Sequence, residues 1–392
     1  MQILHINDKL TEAGGTEIYI RDLIPILNKH NIKSEWISIN LIKNNLIIKS
    51  KNKDIEWNGK IKNFHESCFY KLIDKNTIFH VHNLKEPKIM ELLFKLGPVI
   101  RHLHTPSIFC PGNDKFWSSS EKQCEIKFGY KCLINAYTKR CCNRHPKRLI
   151  AAFQNTSYEI NIAKEKYNSL IANSSFLLNE AIKAGYDKKK IDLIAYFTNS
   201  TSDIKSYEND FPKITFIGRL SETKGIRYLL ESLLIIIKKI PNVKLDIVGR
   251  GHSEKFFFSL IDKYDLKSSV NFLGWADKQM IDNYLSRASV VAFPSIYPES
   301  FGIVGIEAMM RGRPVVGFDV GGVKDWLKNQ ETGFLVKAKD IRGFADAIIK
   351  ILQNGKLRNQ MGIRAREVAL SKFSEEIHMS KLLKSYERAL NQ

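Results

Sequence analysis

Two cations and two carboxylates stand where they could handle a charged leaving group. Arg219 and Lys224 lie in the stretch from Phe216 to Gly225, FIGRLSETKG, which follows a strand-like run and opens a helical one. Free backbone N–H groups at a helix start, joined by two cations, make an anion site. The plain alternative is a solvated Arg and Lys on an ordinary turn. Glu299 and Glu307 flank Gly302 in the second stretch, Pro298 to Glu307, PESFGIVGIE. On a single helix that spacing would separate the two carboxylates by roughly 12 Å along the axis. The pair is then too far apart for the close carboxylates of a retaining glycosidase. The sequence instead places Glu299 in a loop before a helix and Glu307 two turns in. The N–H groups of Phe301, Gly302 and Ile303 are left to face a second phosphate-like charge.

The elements that must position these groups follow from hydrophobic patterning. Short β-branched runs occur at 213–217, 244–248, 270–273, 289–293, 315–318 and 334–336, separated by helical spacing at 224–239, 253–264, 277–287 and 302–311. Strand and helix alternating at this rhythm predict a parallel sheet with helices on both faces. The earlier half repeats the theme, with strands expected at 2–6, 34–39, 77–81, 98–102, 148–152 and 169–172. Its helices are expected at 16–29, 86–96, 156–165 and 174–184. The polar stretch 197–210 reads as a linker between domains 1–196 and 211–370. A last helix near 375–390, within the segment 371–392, is expected to pack back on the first domain. The expected fold class is α/β: two doubly wound, Rossmann-like domains facing across a cleft, with ligands at the carboxyl ends of the strands.

The motifs, taken together and in order, resemble the retaining glycosyltransferases of family 4, which have the GT-B fold. R-x-x-x-x-K-G (Arg219 to Gly225) and E-S-F-G-x-x-x-x-E (Glu299 to Glu307) carry most of the likeness. Between them stand Ile247 to Gly251, Phe272 to Trp275 and Ala292 to Ser295, and after them the pair Gly321 and Gly322. In the first domain, Gly14-Gly15-Thr16-Glu17, His80-Val81-His82, His104-Thr105-Pro106 and Asn173-Ser174 fall in the family's order. The likeness spans about residues 3–370. Two departures stand out: Ala195 to Asn199 replaces a P-N-G-V-D segment, and His104-Thr105 replaces His-Asp. The first leaves the joining loop without an assigned role. The second weakens any claim for an assisting carboxylate there.

The resemblance implies roles residue by residue. Arg219 and Lys224 would bind the diphosphate of a nucleotide-sugar donor, with the amides around Phe301, Gly302 and Ile303. Glu307 would hold the ribose, Glu299 the donor sugar, Val304 the nucleoside, and Arg250 would lie near the base. Gly15 and Gly14 would bring main chain close to the diphosphate, and His104 would reach a sugar hydroxyl or the reacting centre. His80 reads as structural, pointing alongside His82 by strand alternation. Two cations and a helix N-terminus can neutralise a departing diphosphate without a metal, so no catalytic cofactor is expected. The implied acceptor is a glycan or lipid-linked saccharide, and UDP is the favoured donor base. The Lys/Ile/Asn-rich composition is compatible with a low-G+C bacterium making surface polysaccharide.

Cysteine usage and charge add a separate theme. Cys110, Cys124, Cys132, Cys141 and Cys142 fall within 33 residues, in an insertion at about 106–147. They form no C-x-x-C pair, and a structural zinc on Cys110, Cys124, Cys132 and Cys141 is an expectation from clustering. The resemblance extends to a cysteine-bearing insertion in some family members, which implies an ordered insert and no particular metal. Over 121–150 there are eight Lys or Arg against two Glu, a local charge of +6 within a chain of net charge +20. Such an insert could shape the acceptor site or touch anionic lipid headgroups, or be a solvated basic loop. With no membrane-length apolar run and a strand-like start without a signal peptide, the chain reads as cytoplasmic, peripheral to the membrane at most.

Other classes fit less well. The missing third glycine after Gly14-Gly15 argues against a dinucleotide fingerprint, and so against a dehydrogenase. No pyridoxal-phosphate lysine context supports a phosphorylase, and the paired-glutamate motif is unexpected in an epimerase. Nucleic-acid binding finds no interleaved aromatics, helix-turn-helix or finger spacing, so the charge alone does not support it.

Overall fold

A computed structural model describes residues 1–10, 14–42, 45–51, 56–60, 73–198 and 212–392. The proposed linker 197–210, apart from Phe197 and Thr198, lies outside the described residues, as does Cys68. The chain divides into two compact units. One comprises Met1–Ser120, Cys124–Ala195 and Met379–Gln392, and the other Glu121–Gln123 and Tyr196–His378.

The first unit is built on strands β1 (Gln2–Asn7), β2 (Lys33–Ile42), β3 (Asn45–Ser50), β4 (Glu56–Lys60), β5 (Thr77–Val81) and β6 (Val99–Leu103). Two-residue strands β7 (Phe116–Trp117) and β8 (Lys122–Gln123) pair with each other in the insert, and β9 (Ser169–Ala172) and β10 (Ile191–Leu193) complete the large sheet. That sheet has the order β10-β9-β6-β5-β1-β2-β3-β4 and is parallel except where β3 pairs with β2 and β4. The central strands are buried along their whole length, as expected of a sheet covered on both faces. The period of two sorts the side chains. Leu4, Ile6, Phe79, Val81, Val99 and Leu103 enter an apolar core with Met90 and Leu93. On the opposite face the same strands present His5, His80, His82 and His102, with His104 just beyond β6.

The helices of this unit are α1 (Gly15–Lys29), α2 (Pro87–Leu96), α3 (Lys131–Thr138), α4 (Pro146–Tyr158) and α5 (Ser175–Lys183). The strand expected at 148–152 is therefore wrong: those residues are inside α4. Pro146 supplies the first helical residue, where its missing N–H is harmless. Leu149 is buried between exposed Arg148 and Ile150, and Thr156 is the next fully buried position, so the short apolar run LIAAF never alternates as a strand would. After α4 the chain widens into a π-helical stretch, Glu159–Ala163. Glu159 is buried there, accepts from Tyr167 Oη at 2.7 Å and lies 3.5 Å from the buried Arg101 guanidinium. Removing either charge would leave the other uncompensated, at a cost of about 3–5 kcal/mol.

The second unit alternates β11 (Lys213–Ile217), α6 (Ile226–Lys239), β12 (Lys244–Val248), α7 (Glu254–Lys263), β13 (Val270–Gly274), α8 (Lys278–Arg287), β14 (Val290–Phe293), α9 (Ile303–Met310), β15 (Val315–Phe318) and β16 (Gly333–Val336). Helices α10 (Ile341–Gln353), α11 (Gly355–Phe373) and α12 (Glu375–Leu390) follow, and α12 runs from the second unit into residues counted with the first. Its six strands are all parallel, in the order β13-β12-β11-β14-β15-β16. Chain progression runs outward from β11 to β13 and then outward again from β14 to β16. The reversal makes the carboxyl ends of β11 and β14 a topological switch point, where open α/β sheets hold ligands. Both sequence stretches singled out for anion chemistry leave the sheet at that point.

Candidate functional site

In the second unit, the loop after β11 carries Arg219 and ends in a single 3-10 turn, Glu222–Lys224. Gly225 then begins α6 at φ 71°, a left-handed conformation that costs other residues about 1–2 kcal/mol. A Cβ there would also fall inside the Pro294 carbonyl. The two loops are laced together where Ile296 N–H donates to Thr223 O at 2.9 Å. Lys224 is fixed within reach of the loop after β14 as a result. Its Nζ lies 2.6 Å from Glu299 Oε1 and 5.2 Å above the Tyr297 ring.

Glu299 is held by several side chains of its own and the neighbouring loop. Besides Lys224, it accepts from Ser295 Oγ at 2.5 Å and Tyr297 Oη at 2.8 Å, and it is buried. Its own carbonyl accepts from Gly322 N–H at 2.8 Å, which ties the glycine pair after β15 to the same loop. Gly302 then turns the chain into α9 at φ 95°, packed so closely that a Cβ would meet the Phe293 ring at 2.6 Å. Trp326 Nε1 donates to Phe301 O at 2.7 Å and holds the helix start from behind. Phe301 is buried; Gly302, Ile303, Val304 and Glu307 are half-buried along the first two turns of α9. Arg219 and Arg250 are exposed, and Arg250 lies beside Gly274, whose Cβ would be 3.6 Å from a guanidinium nitrogen.

The structure therefore brings Lys224 and Glu299 together, and puts Phe301, Gly302, Ile303, Val304 and Glu307 on one helix start. Sequence reasoning missed Ser295 and Tyr297 as carboxylate anchors. Ser295 was inside a quoted motif, but only the loop geometry turns it toward Glu299.

In the first unit, Gly14 caps α1 and Gly15 is its first residue. The two differ in what surrounds them. The Glu17 carboxylate folds back over Gly14, and nothing lies within 4 Å of the position a Cβ would take on Gly15. Close approach of a ligand to main chain is thus open at Gly15 and screened at Gly14. His104 is buried among rings: His102 stacks on it with centroids 4.1 Å apart, His82 at 5.0 Å, and Tyr19 tilts against it at 5.6 Å. Burial, then the neighbouring His80 and Arg101 charges, hold His104 well below the usual imidazole range. It is neutral at pH 7. His5, His102 and Tyr19 were not foreseen as its surroundings. Two groups of three nitrogen donors here, His5/His80/His82 and His82/His102/His104, lie within 4.8 Å of one another.

The insert holds its five cysteines as free thiols. Burial pushes the Cys110 thiol up to about 11 and Cys141 up to about 12; Cys110, Cys124, Cys142 and Cys132 add to the rise at Cys141. Backbone N–H groups of Lys115 and Gly112 act on Cys110, and that of Gly129 on Cys132.

The Lys224–Glu299 pair and the glycine-led start of α9 thus stand together at the switch point of the second sheet. Residues 199–368 match the family model of the glycosyl transferases group 1. It is 32% identical over 190 residues to a phosphatidyl-myo-inositol mannosyltransferase of Mycobacterium leprae, covering 48% of this chain and 50% of that one. It is 33% identical over 189 residues to the capsular polysaccharide biosynthesis glycosyltransferase CapM of Staphylococcus aureus, covering 47% and 48%. The chain spans about half the length of the curated relatives it matches. Among solved structures it resembles Anabaena HepE in complex with UDP, with TM-score 0.65 and 20% identity over 98% of this chain and 100% of that one. The fold is GT-B.

Proposed function

We propose that this protein is a retaining glycosyltransferase that moves a sugar from a nucleoside diphosphate, UDP favoured, to a glycan or lipid-linked acceptor in surface polysaccharide synthesis. The observation that carries the reading is the Lys224–Glu299 pair beside the glycine-led start of α9, at the switch point of the second sheet. As the anomeric C–O bond breaks, negative charge grows on the leaving diphosphate. Lys224, Arg219 and the α9 amides would neutralise it without a metal. The acceptor hydroxyl oxygen bonds to the anomeric carbon from the leaving-group face, and its proton passes to the departing phosphate oxygen. The products are the glycoside and the nucleoside diphosphate. Glu299 would hold the sugar hydroxyls, Glu307 the ribose, Val304 the nucleoside and Arg250 the base edge. The test is proton NMR of the first product formed from an α-configured nucleotide-sugar. An α-glycoside is expected; a β-glycoside would overturn retention, and sugar transfer independent of any nucleotide donor would overturn the reading.

Gly15 would let the diphosphate approach main chain, with Gly14 screened by Glu17. Gly15→Ala should leave the melting temperature within about 1 °C, since nothing occupies the Cβ position. Donor KM should rise severalfold; an unchanged KM would remove Gly15 from the donor site.

Two features of the insert extend the reading. Cys110, Cys124, Cys132 and Cys141 would hold a structural zinc, a reading that rests on their clustering in the sequence, since among the described residues only the two histidine groups have donor atoms within 4.8 Å of one another. Elemental analysis should find one zinc per chain, and binding should strengthen as pH rises because the thiols must lose protons. Metal-free protein with an ordered insert would refute it. Tyr130, Ile134 and Tyr137 are 70%, 57% and 49% exposed at helical spacing, next to exposed Lys127, Lys131 and Arg140. Such a stripe suits an anionic lipid surface. Co-sedimentation with phosphatidylglycerol vesicles, absent with phosphatidylcholine alone and lost in Ile134→Ser/Tyr137→Ser, would support it. Equal binding to both lipids, or none, would refute it.

A further inference from the structure

The buried histidines of the first unit are joined in a definite order. His5 Nδ1 lies 3.0 Å from His82 Nε2, and His82 Nδ1 lies 2.7 Å from His104 Nε2. All three rings are buried, with relative exposures of 0%, 1% and 5%. His5 Nε2, at the far end, has no hydrogen-bond partner. The near end is His104, which by the family resemblance would reach a donor-sugar hydroxyl or the reacting centre. The residues come from β1, β5 and the end of β6, and strand register sets their order: His5 pairs with His80 across β1 and β5, and Val81 pairs with Arg101 across β5 and β6.

A neutral imidazole has one N–H and one lone pair. Burial lowers His5 to about 3 and holds His82 and His104 far below the usual range, so all three rings are neutral near pH 7. Both nitrogens of His82 are engaged, one in each bond. It can donate in one bond only and must accept in the other. The two bonds therefore run in the same sense. Either His5, His82 and His104 all carry the proton on Nδ1, or all three carry it on Nε2. A mixed set would set two donors or two lone pairs against each other at 2.7–3.0 Å in a dry interior, at a cost of about 1–3 kcal/mol.

We propose that His5 and His82 are positioning residues that lock the tautomer of His104, acting through this three-ring chain rather than by touching substrate. The sense in which His104 can hydrogen-bond is then tied to the other two rings, and only the two concerted arrangements are open to it. It does not serve as a titrating acid or base. Preorganisation of this kind spares the reaction the work of selecting a tautomer in the transition state. The inference rests on the proposed function for its catalytic consequence. The tautomer coupling itself stands on the two hydrogen bonds and the burial that keeps the rings neutral.

The test is long-range proton–nitrogen NMR on protein labelled with ¹⁵N-histidine, near pH 7.5, with His5→Phe and His5→Asn beside the unaltered chain. Asn places an amide where Nδ1 stood and can keep the bond to His82, whereas Phe fills the space and cannot. In the unaltered protein His5, His82 and His104 should share one tautomer. In His5→Phe, His104 should populate both, with kcat lowered roughly two- to tenfold at unchanged donor KM. His5→Asn should restore the single tautomer and most of kcat. A mixed set of tautomers in the unaltered protein, or a His104 unchanged by His5→Phe, would overturn the coupling. Correct tautomer behaviour with no transfer to measure would instead count against the proposed function and leave the coupling in place.

Discussion

Lys224→Ala should lower kcat by roughly 10²–10³-fold and leave donor KM within a few-fold of its original value. The ammonium is half-buried, 2.6 Å from Glu299 and above the Tyr297 ring, in a loop pinned by Gly225 and by the Thr223–Ile296 hydrogen bond. A cation held this firmly needs no rearrangement when charge develops on the leaving group, so its loss falls mainly on the transition state. Glu307→Ala is the control with the opposite signature. A half-buried carboxylate two turns along α9, assigned to the ribose, should weaken donor binding about tenfold at nearly unchanged kcat. Steady-state kinetics with varied donor separate the two. Near-normal turnover in Lys224→Ala would remove the residue from the chemistry.

Acidification should destabilise the first unit steeply. The folded state holds His5, His82 and His104 below their ordinary value, chiefly by burial, while the unfolded chain titrates them near pH 6.5. Their neutral burial is therefore fully tolerated above that pH. As pH falls through 6.5 toward the folded values, the unfolded state binds protons that the folded state does not. Stability drops by up to about 1.4 kcal/mol per pH unit for each ring, or about 4 kcal/mol per unit for three. Arg101, packed on the neighbouring strand, discourages protonation further. Hydrogen exchange of β1, β5 and β6 at pH 7.5 and pH 5.0, with global melting alongside, reads this directly. Equal protection of those strands at the two pH values would mean that the rings take up protons without unfolding.

The second sheet was legible because its signals are local. The runs 213–217, 244–248 and 315–318 coincide with β11, β12 and β15, each a short β-branched segment of four or five residues. The loops after β11 and β14 were legible too, since each stretch places a glycine between a strand and a helix, at Gly225 and Gly302. Residues 148–152 failed because a five-residue apolar run has no period of its own; Pro146 and the helix beyond it decide the matter. The antiparallel pair β3 and β4 was not foreseen: the residues between them in sequence, KNKDI, hold no Asn-Gly or Asp-Gly, and Asn58-Gly59 falls inside β4. The histidine chain was out of reach for another reason. His5 and His82 are 77 residues apart, and only the parallel register of β1 and β5 makes them neighbours. Strand alternation could put His80 and His82 on one face. It could not say what stands opposite them.

The central claim, a nucleoside-diphosphate site at the switch point of the second unit, is tested most directly by thermal shift with UDP, GDP and ADP, first without metal and then with magnesium. One diphosphate should raise the melting temperature without metal, by roughly 5–10 °C at a hundred times its dissociation constant. The rise should shrink in Glu307→Ala. No rise with any of the three, on folded protein, would contradict the site.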